Sequence, residues 1–203
     1  KLRAVMIEPY VVALHAVERS RARYGQNAIV IGAGCIGIMT TIALRAHGIN
    51  EIFITDVIDN RLAKASEFGY VYPINARNED PVQKVLAMTN QEGVDLVFET
   101  AGNIRTQAQT VNYVRKTGMI TFVGFSSGQL VEYDISGLMR KEANISTVFR
   151  YANQHKKAIR QLIVNPIELE KVVSHVYPLE DLQLALDENL RDKDKVIKAV
   201  IKI

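Results

Sequence analysis

Short apolar runs rich in β-branched residues return five times along this chain, at residues 28–31, 52–54, 96–98, 119–123 and 145–149. Each is apolar on both faces of an extended chain, which is how a strand buried inside a parallel sheet reads. Between them, apolar residues recur at helical intervals over residues 36–46, 60–68, 81–88 and 103–114. Parallel neighbours need a crossover, and the crossover helix covers a sheet face. The alternation therefore predicts an α/β fold, a doubly wound parallel sheet with helices on both faces. A short strand at residues 70–74 completes the first half.

The two ends extend this pattern. Upstream, Val11, Val12, Leu14, Ala16 and Val17 recur at mostly helical spacing and Gly25 closes the segment, so residues 1–25 are expected to form a leading helix. Downstream, helices at residues 154–164 and 179–190 are expected to flank a strand at 172–176. The tail at 195–203, in which lysines punctuate aliphatic residues, is expected to be an amphipathic terminal strand. No linker interrupts the chain, so it is read as one domain over 1–203, with 165–203 as a C-terminal extension. The first residue is Lys1 and a hydrophobic pattern follows at once, which suggests a piece of a longer protein.

Composition narrows the function classes. With 203 residues, 48% hydrophobic and 23% charged, the chain is an ordinary folded globular sequence. Its net charge of +3 is spread among interleaved acids, so no nucleic-acid partner is expected. The longest apolar stretch, 28–40, is broken by three glycines, and the opening decapeptide lacks a signal-peptide layout, so no membrane association is expected. Cys35 is the only cysteine, which excludes an intrachain disulfide and any multi-thiolate zinc site built from this chain alone, and fits a reducing cytoplasm.

The chemistry is concentrated at Gly32-Ala33-Gly34-Cys35-Ile36-Gly37, a G-x-G-x-x-G pattern between a buried strand and an amphipathic helix. Gly32 permits the tight turn off the strand, Gly34 lets backbone amides approach a pyrophosphate, and Gly37 lets the helix pack closely on the strand. The helix N-terminus then offers free N–H groups and partial positive charge to phosphates. Asp56 ends the second strand, 19 residues beyond Gly37, where an acid accepts hydrogen bonds from the adenosine ribose and repels a 2′-phosphate. The cofactor expected is therefore NAD rather than NADP. Arg61, early in the next helix, either stacks on adenine or reaches the ribose, or is a solvated helix arginine. Of the four histidines, none pairs with a cysteine or an acid at metal-ligand spacing, so all four read as structural or surface residues.

Several of these features together resemble the medium-chain zinc-dependent dehydrogenases: Glu8-Pro9 before a helix, the run Gly32 to Gly37, Asp56 with Arg61, Val123-Gly124-Phe125 after the fifth strand and Val148-Phe149-Arg150-Tyr151 after the sixth. The Phe-Arg-Tyr end resembles the sorbitol (L-iditol) dehydrogenase branch. The resemblance covers essentially the whole chain. It implies a cofactor domain that places Cys35, Ile36, Asp56, Arg61, Val123, Gly124, Phe125, Val148, Phe149 and Arg150 around NAD. It also implies that Arg150 and Tyr151 meet a polyol such as sorbitol or xylitol, and that Glu8 stands beside a catalytic zinc as an outer or transient ligand. The ligands that hold the zinc directly would come from an N-terminal catalytic domain preceding residues 1–25. The implied reaction is hydride transfer from a secondary alcohol carbon to the nicotinamide, with zinc as Lewis acid.

The chain departs from the family in two places. Cys35 stands where relatives commonly carry proline, and its bland reading is a small buried apolar side chain. Tyr10-Val11 follow Glu8-Pro9 where relatives continue with small residues. Glu8 can also be read as an acid favoured by the helix dipole, and Arg150 as a strand-end arginine paired to an acid. Two other functions stay open at this level. One is a related dehydrogenase acting on a simple alcohol or on threonine, and the other is a catalytically silent NAD-binding module. The sixth strand should lie at a sheet edge, and the family resemblance implies a homo-oligomer, dimer or tetramer, joined there.

Overall fold

A computed structural model describes residues 1–126 and 130–203. Helices α1 (Leu2–Val5) and α2 (Ile7–Arg19) precede β1 (Asn27–Ile31), α3 (Cys35–Ala46), β2 (Glu51–Asp56), α4 (Asp59–Ser66) and β3 (Tyr72–Asn75). The second half runs α5 (Pro81–Met88), β4 (Val94–Glu99), α6 (Ile104–Tyr113), β5 (Val114–Phe122), α7 (Ile135–Lys141) and β6 (Asn144–Thr147). The extension consists of α8 (His155–Val164), a 3₁₀ turn (Leu169–Val172), β7 (His175–Pro178), a second 3₁₀ turn (Leu179–Asp181), α9 (Leu182–Arg191) and β8 (Ala199–Lys202).

Strands β1 to β6 form one parallel sheet in the order β3-β2-β1-β4-β5-β6. The doubly wound α/β expectation is met, and each apolar run lies inside one of these strands or overlaps it. The runs are apolar on both faces because both faces are covered. In β1, Ala28 and Val30 join the apolar layer beneath α2 and α3, whereas Ile29 and Ile31 join the opposite layer with Phe53, Val97 and Ile120. All of these residues are buried. The leading helix α2 is part of the first layer: Tyr10, Val11, Leu14 and Val17 are fully buried, and the Tyr10 hydroxyl donates to Gln161 Oε1 of α8 at 3.0 Å.

Helix starts follow their capping residues. Asp80 Oδ1 accepts the amides of Val82 (2.8 Å) and Gln83 (3.2 Å) at the start of α5, with Pro81 at the first helical position. Asn103 caps α6 through the Arg105 amide at 2.9 Å. Asp134 caps α7 through the Gly137 amide at 2.7 Å. Helix α7 has too short an apolar pattern to be legible from periodicity, and residues 135–141 carried no expectation.

The extension differs from the sequence expectation in two ways. The strand expected at 172–176 begins only at His175, because residues 169–172 curl into a 3₁₀ turn that buries Leu169 and Val172 in the main core. The tail pairs only over Ala199–Lys202, in a separate two-stranded parallel sheet with β7. Its lysines do not alternate with aliphatic residues across the strand: Lys198, Val200 and Lys202 share one side, and Val200 is the buried member. Among the described residues, no helix is long and apolar enough to cross a membrane.

Candidate cofactor site

Because every strand of the large sheet is parallel, the segments that leave β1, β2, β4, β5 and β6 all emerge at one edge. Strand order reverses between β1 and β4, and the crevice outside the carboxyl ends of strands at such a reversal is where α/β sheets bind ligands. The glycine loop lies there. Gly32 has φ +99° and its amide donates to Thr55 O at 2.8 Å. A Cβ on Gly37 would sit 1.8 Å from Gly32 O, so only glycine lets α3 start this close to the loop. A Cβ on Gly34 would meet nothing within 4 Å, so the space in front of it is open. Gly34 caps α3 without any side-chain hydrogen bond, and the first turn of α3, which contains Cys35, Ile36 and Gly37, carries no acid. Free amides and the positive end of a 12-residue helix therefore face that space.

Asp56 stands beside this loop at the end of β2, with its side chain only 7% exposed. Its Oδ2 accepts the Ala33 amide at 2.7 Å, and its Oδ1 accepts the amides of Val57 (2.8 Å) and Ile58 (3.1 Å). The carboxylate thus fastens the glycine loop as well as closing its own strand. A carboxylate has about four acceptor positions, so these three bonds leave capacity for a ligand hydroxyl. Arg61 does not extend into open solvent. Its Nη1 lies 3.9 Å from Asp56 Oδ2, and its Nη2 donates to Lys193 O of the extension at 2.8 Å.

Val123, Gly124 and Phe125 follow β5, and Val148 to Tyr151 follow β6, on the same edge. Val123 and Val148 pack against the main core, as does Tyr151, while Phe125 and Phe149 are 78% and 79% exposed. The structure does not bring Arg150 and Tyr151 to the glycine loop by any hydrogen bond or ion pair among the described residues. Arg150 is exposed, has φ +58°, and rests its guanidinium over the Phe149 ring at 5.6 Å. Tyr151 stacks edge-on against His155 at 4.8 Å between centroids. Glu8 lies exposed in the first turn of α2, close enough to Cys35 to influence its thiol.

Burial pushes the Cys35 thiol up to about 11; Lys198 opposes this and Glu8 adds to it. A thiol held in its protonated form is a poor nucleophile at neutral pH, in line with the bland sequence reading of Cys35. The same influence puts Lys198, from the extension, within electrostatic reach of the start of α3, which no sequence spacing indicated.

Sequence reasoning also missed the residues leaving β4. Glu99 is fully buried, and its carboxylate accepts the amides of Ala101 (3.1 Å) and Gly102 (3.0 Å) and the Thr106 hydroxyl (2.8 Å). Burial raises its pKa, and these hydrogen bonds oppose the rise. Next to it, the Thr100 hydroxyl donates to Ile31 O (2.9 Å) and Gly32 O (3.0 Å). The available signal was an acid ending a buried strand just before Ala101-Gly102, the same pattern as Asp56.

Among the described residues, no group of three or more histidine, cysteine, aspartate or glutamate side chains could hold a metal ion. Glu8 belongs to no such group, and a zinc ion does not fit this set of residues.

A parallel sheet of this order with a glycine loop at its switch point defines a Rossmann-type domain. The chain belongs to the zinc-binding dehydrogenase family, whose sequence model matches residues 35–165. It is 31% identical over 198 residues to sorbitol dehydrogenase of Bacillus subtilis strain 168, covering 98% of this chain and 56% of that protein. The crystal structure of an Escherichia coli oxidoreductase/dehydrogenase of unknown specificity, involved in membrane biogenesis, superposes with a TM-score of 0.95 at 35% identity, over 100% of this chain and 58% of that one. A protein named short chain alcohol dehydrogenase (rspB) of Escherichia coli CFT073, solved with NADH, superposes with a TM-score of 0.91 at 25% identity, over 100% of this chain and 59% of that one. The chain thus spans a little over half the length of these relatives.

The half-buried thiol supplies a direct check on the loop. Cys35 should react with iodoacetamide at pH 8 at least about tenfold more slowly than an ordinary exposed cysteine, and should gain rate as pH rises toward its titration near 11. Reaction at the full rate at pH 8 would show that the start of α3 is not packed as described.

Proposed function

We propose that this chain is the NAD-binding half of an oxidoreductase that moves a hydride between a secondary alcohol of a polyol and the nicotinamide. The observation that carries the reading is the start of α3, whose amides no side chain caps and which is open in front of Gly34, with the Asp56 carboxylate fastened to the same loop. Similarity to a dehydrogenase solved with NADH supports the cofactor, and similarity to a sorbitol dehydrogenase supports the polyol.

NAD, when bound, supplies a carbon that accepts or returns hydride. The chain's own groups bind and orient it. Amides of the first turn of α3 take the pyrophosphate, and the helix dipole favours its charge. Asp56 accepts from a ribose hydroxyl and repels a phosphate at the same position. Val123, Gly124, Phe125 and Val148 form the wall on the nicotinamide side, and Arg150 offers N–H donors to substrate hydroxyls. In the same reading Tyr151 borders the polyol, Phe149 supports Arg150, and Arg61 steadies Asp56 from the adenosine side. Zinc is assigned to ligands outside the described residues, with Glu8 facing them, and the 203 residues alone do not turn over substrate. Assembly belongs to the same proposal. Val148 donates its amide to Phe122 O at 2.9 Å, so by alternation the amides of Ile145 and Thr147 point away from β5, along the free edge of the sheet. A second copy that pairs with β6 would satisfy them.

Titration should show the chain preferring NADH over NADPH by at least about tenfold, the size of effect one well-placed charge provides. Asp56→Ala should narrow the gap mainly by weakening NADH, because it also releases the Ala33 amide. Equal binding of both cofactors by the unmodified chain would defeat the assignment.

In the complete enzyme, Arg150→Ala should raise KM for sorbitol about tenfold and leave KM for NAD within about twofold. Unchanged polyol kinetics would remove Arg150 from the substrate pocket.

Light scattering at micromolar concentration should give at least a dimer. Thr147→Pro, which deletes one outward amide and leaves the β5 ladder intact, should shift the chain toward monomer. A monomeric mass for the unmodified chain would contradict edge pairing through β6.

A further inference from the structure

The buried carboxylate of Glu99 costs the fold more than strand termination requires. Taking a carboxylate out of water is expensive unless its oxygens are fully engaged, and an apolar residue would end β4 without that penalty. Its three side-chain partners, the amides of Ala101 and Gly102 and the Thr106 hydroxyl, all belong to the segment leaving β4. The main chain of the same residue reaches the segment leaving β5: Glu99 O accepts the amides of Val123 and Gly124, both at 2.9 Å.

At this joint the two segments come close enough for their backbones to touch. A Cβ on Gly124 would lie 2.2 Å from Gly102 N and 2.7 Å from Glu99 Oε2. Gly102 has φ +66°, and a Cβ there would lie 2.9 Å from Phe125 O. Gln107 closes the outer side, with its Nε2 donating to Gly124 O (3.2 Å) and its Oε1 accepting from the Ser126 hydroxyl (3.0 Å). On the inner side, Thr100 ties the joint to Gly32 of the phosphate loop. Glu99 therefore stands where the two halves of the crevice are held in register, yet the Asp56 carboxylate alone already fastens the phosphate half.

We propose that Glu99 is a positioning residue for the nicotinamide half of the dinucleotide: its carboxylate fixes residues 101–103 against Gly124 and so sets the wall formed by Val123, Gly124 and Phe125. The proposal rests on the NAD reading above. It separates from a general structural role because the ADP-ribose half of the cofactor is held by Gly34 and Asp56, on the other side of the reversal in strand order.

The test compares NADH with ADP-ribose, which lacks the nicotinamide. Glu99→Gln keeps the shape but turns one acceptor into a donor facing amide donors. It should weaken NADH binding about tenfold, in keeping with the loss of charge-assisted buried hydrogen bonds, and leave ADP-ribose within about twofold. Gly124→Ala, which disturbs the joint from the opposite side, should show the same selectivity. If Glu99→Gln does not fold, Thr106→Val, which deletes one bond to the carboxylate at a half-buried position, is read in its place and should weaken NADH about threefold with ADP-ribose unchanged. Equal losses for both ligands, or no loss for either, would overturn the role of Glu99. Failure of the unmodified chain to bind ADP-ribose or NADH would instead overturn the NAD reading on which the proposal rests.

Discussion

Parallel pairing of β1 with β2 on one side and β4 on the other is the constraint on which the rest of this molecule depends. The crossovers that parallel strands require run in opposite directions from β1, and so the loops after β1 and β4 part from each other and leave a crevice. The backbone fits around that crevice only because particular atoms are missing. Gly37 lacks a Cβ where Gly32 O would collide with it, and Gly124 lacks one where Gly102 N would. An alanine at Gly37 would press the start of α3 off the glycine loop, and an alanine at Gly124 would press the exit of β5 off Gly102.

Two strands on either side of the reversal end in an acid, and both acids do the same physical work. Asp56 accepts the amides of Val57 and Ile58, and Glu99 accepts those of Ala101 and Gly102, so each carboxylate folds the turn that follows its strand. Each also reaches beyond that turn. Asp56 takes the Ala33 amide of the glycine loop, and Glu99 takes the Thr106 hydroxyl of α6. Charge buried in this way costs free energy that only a full set of donors offsets, which is why both side chains are nearly enclosed and richly bonded. The difference between them lies in reach: Asp56 keeps acceptor capacity at the mouth of the crevice, whereas Glu99 is sealed beneath it.

The extension is attached by contacts that report on its role as a support. Lys193 and Asp194 offer backbone carbonyls to Arg61 and Asn60 of α4, and Leu169 and Val172 fill the main core. Lys198 comes beside Cys35, so the segment most distant in sequence contributes charge to the start of α3. In the proposed enzyme this makes the phosphate end of the crevice a joint product of both ends of the chain.

The sequence by itself determined the sheet and the glycine loop. Continuous apolar runs, buried on both faces, and period-3.6 crossovers leave few alternatives, and the glycine spacing encodes its own geometry, because no other residue tolerates a backbone approach of that kind. Asp56 was legible for the same reason: it stands at a fixed distance from that loop. Only the tertiary structure decided which side chains converge from separate segments. Nothing local in Glu99-Thr100-Ala101-Gly102 says that its carboxylate would meet Thr106 or that its carbonyl would meet Gly124, since the partner is chosen by the pairing of β4 with β5. The same holds for Lys198 beside Cys35, for the 3₁₀ turn that displaced the expected strand at 172–176, and for Arg150. Arg150 has a positive φ and rests over Phe149, a conformation that no pattern in the run itself indicates.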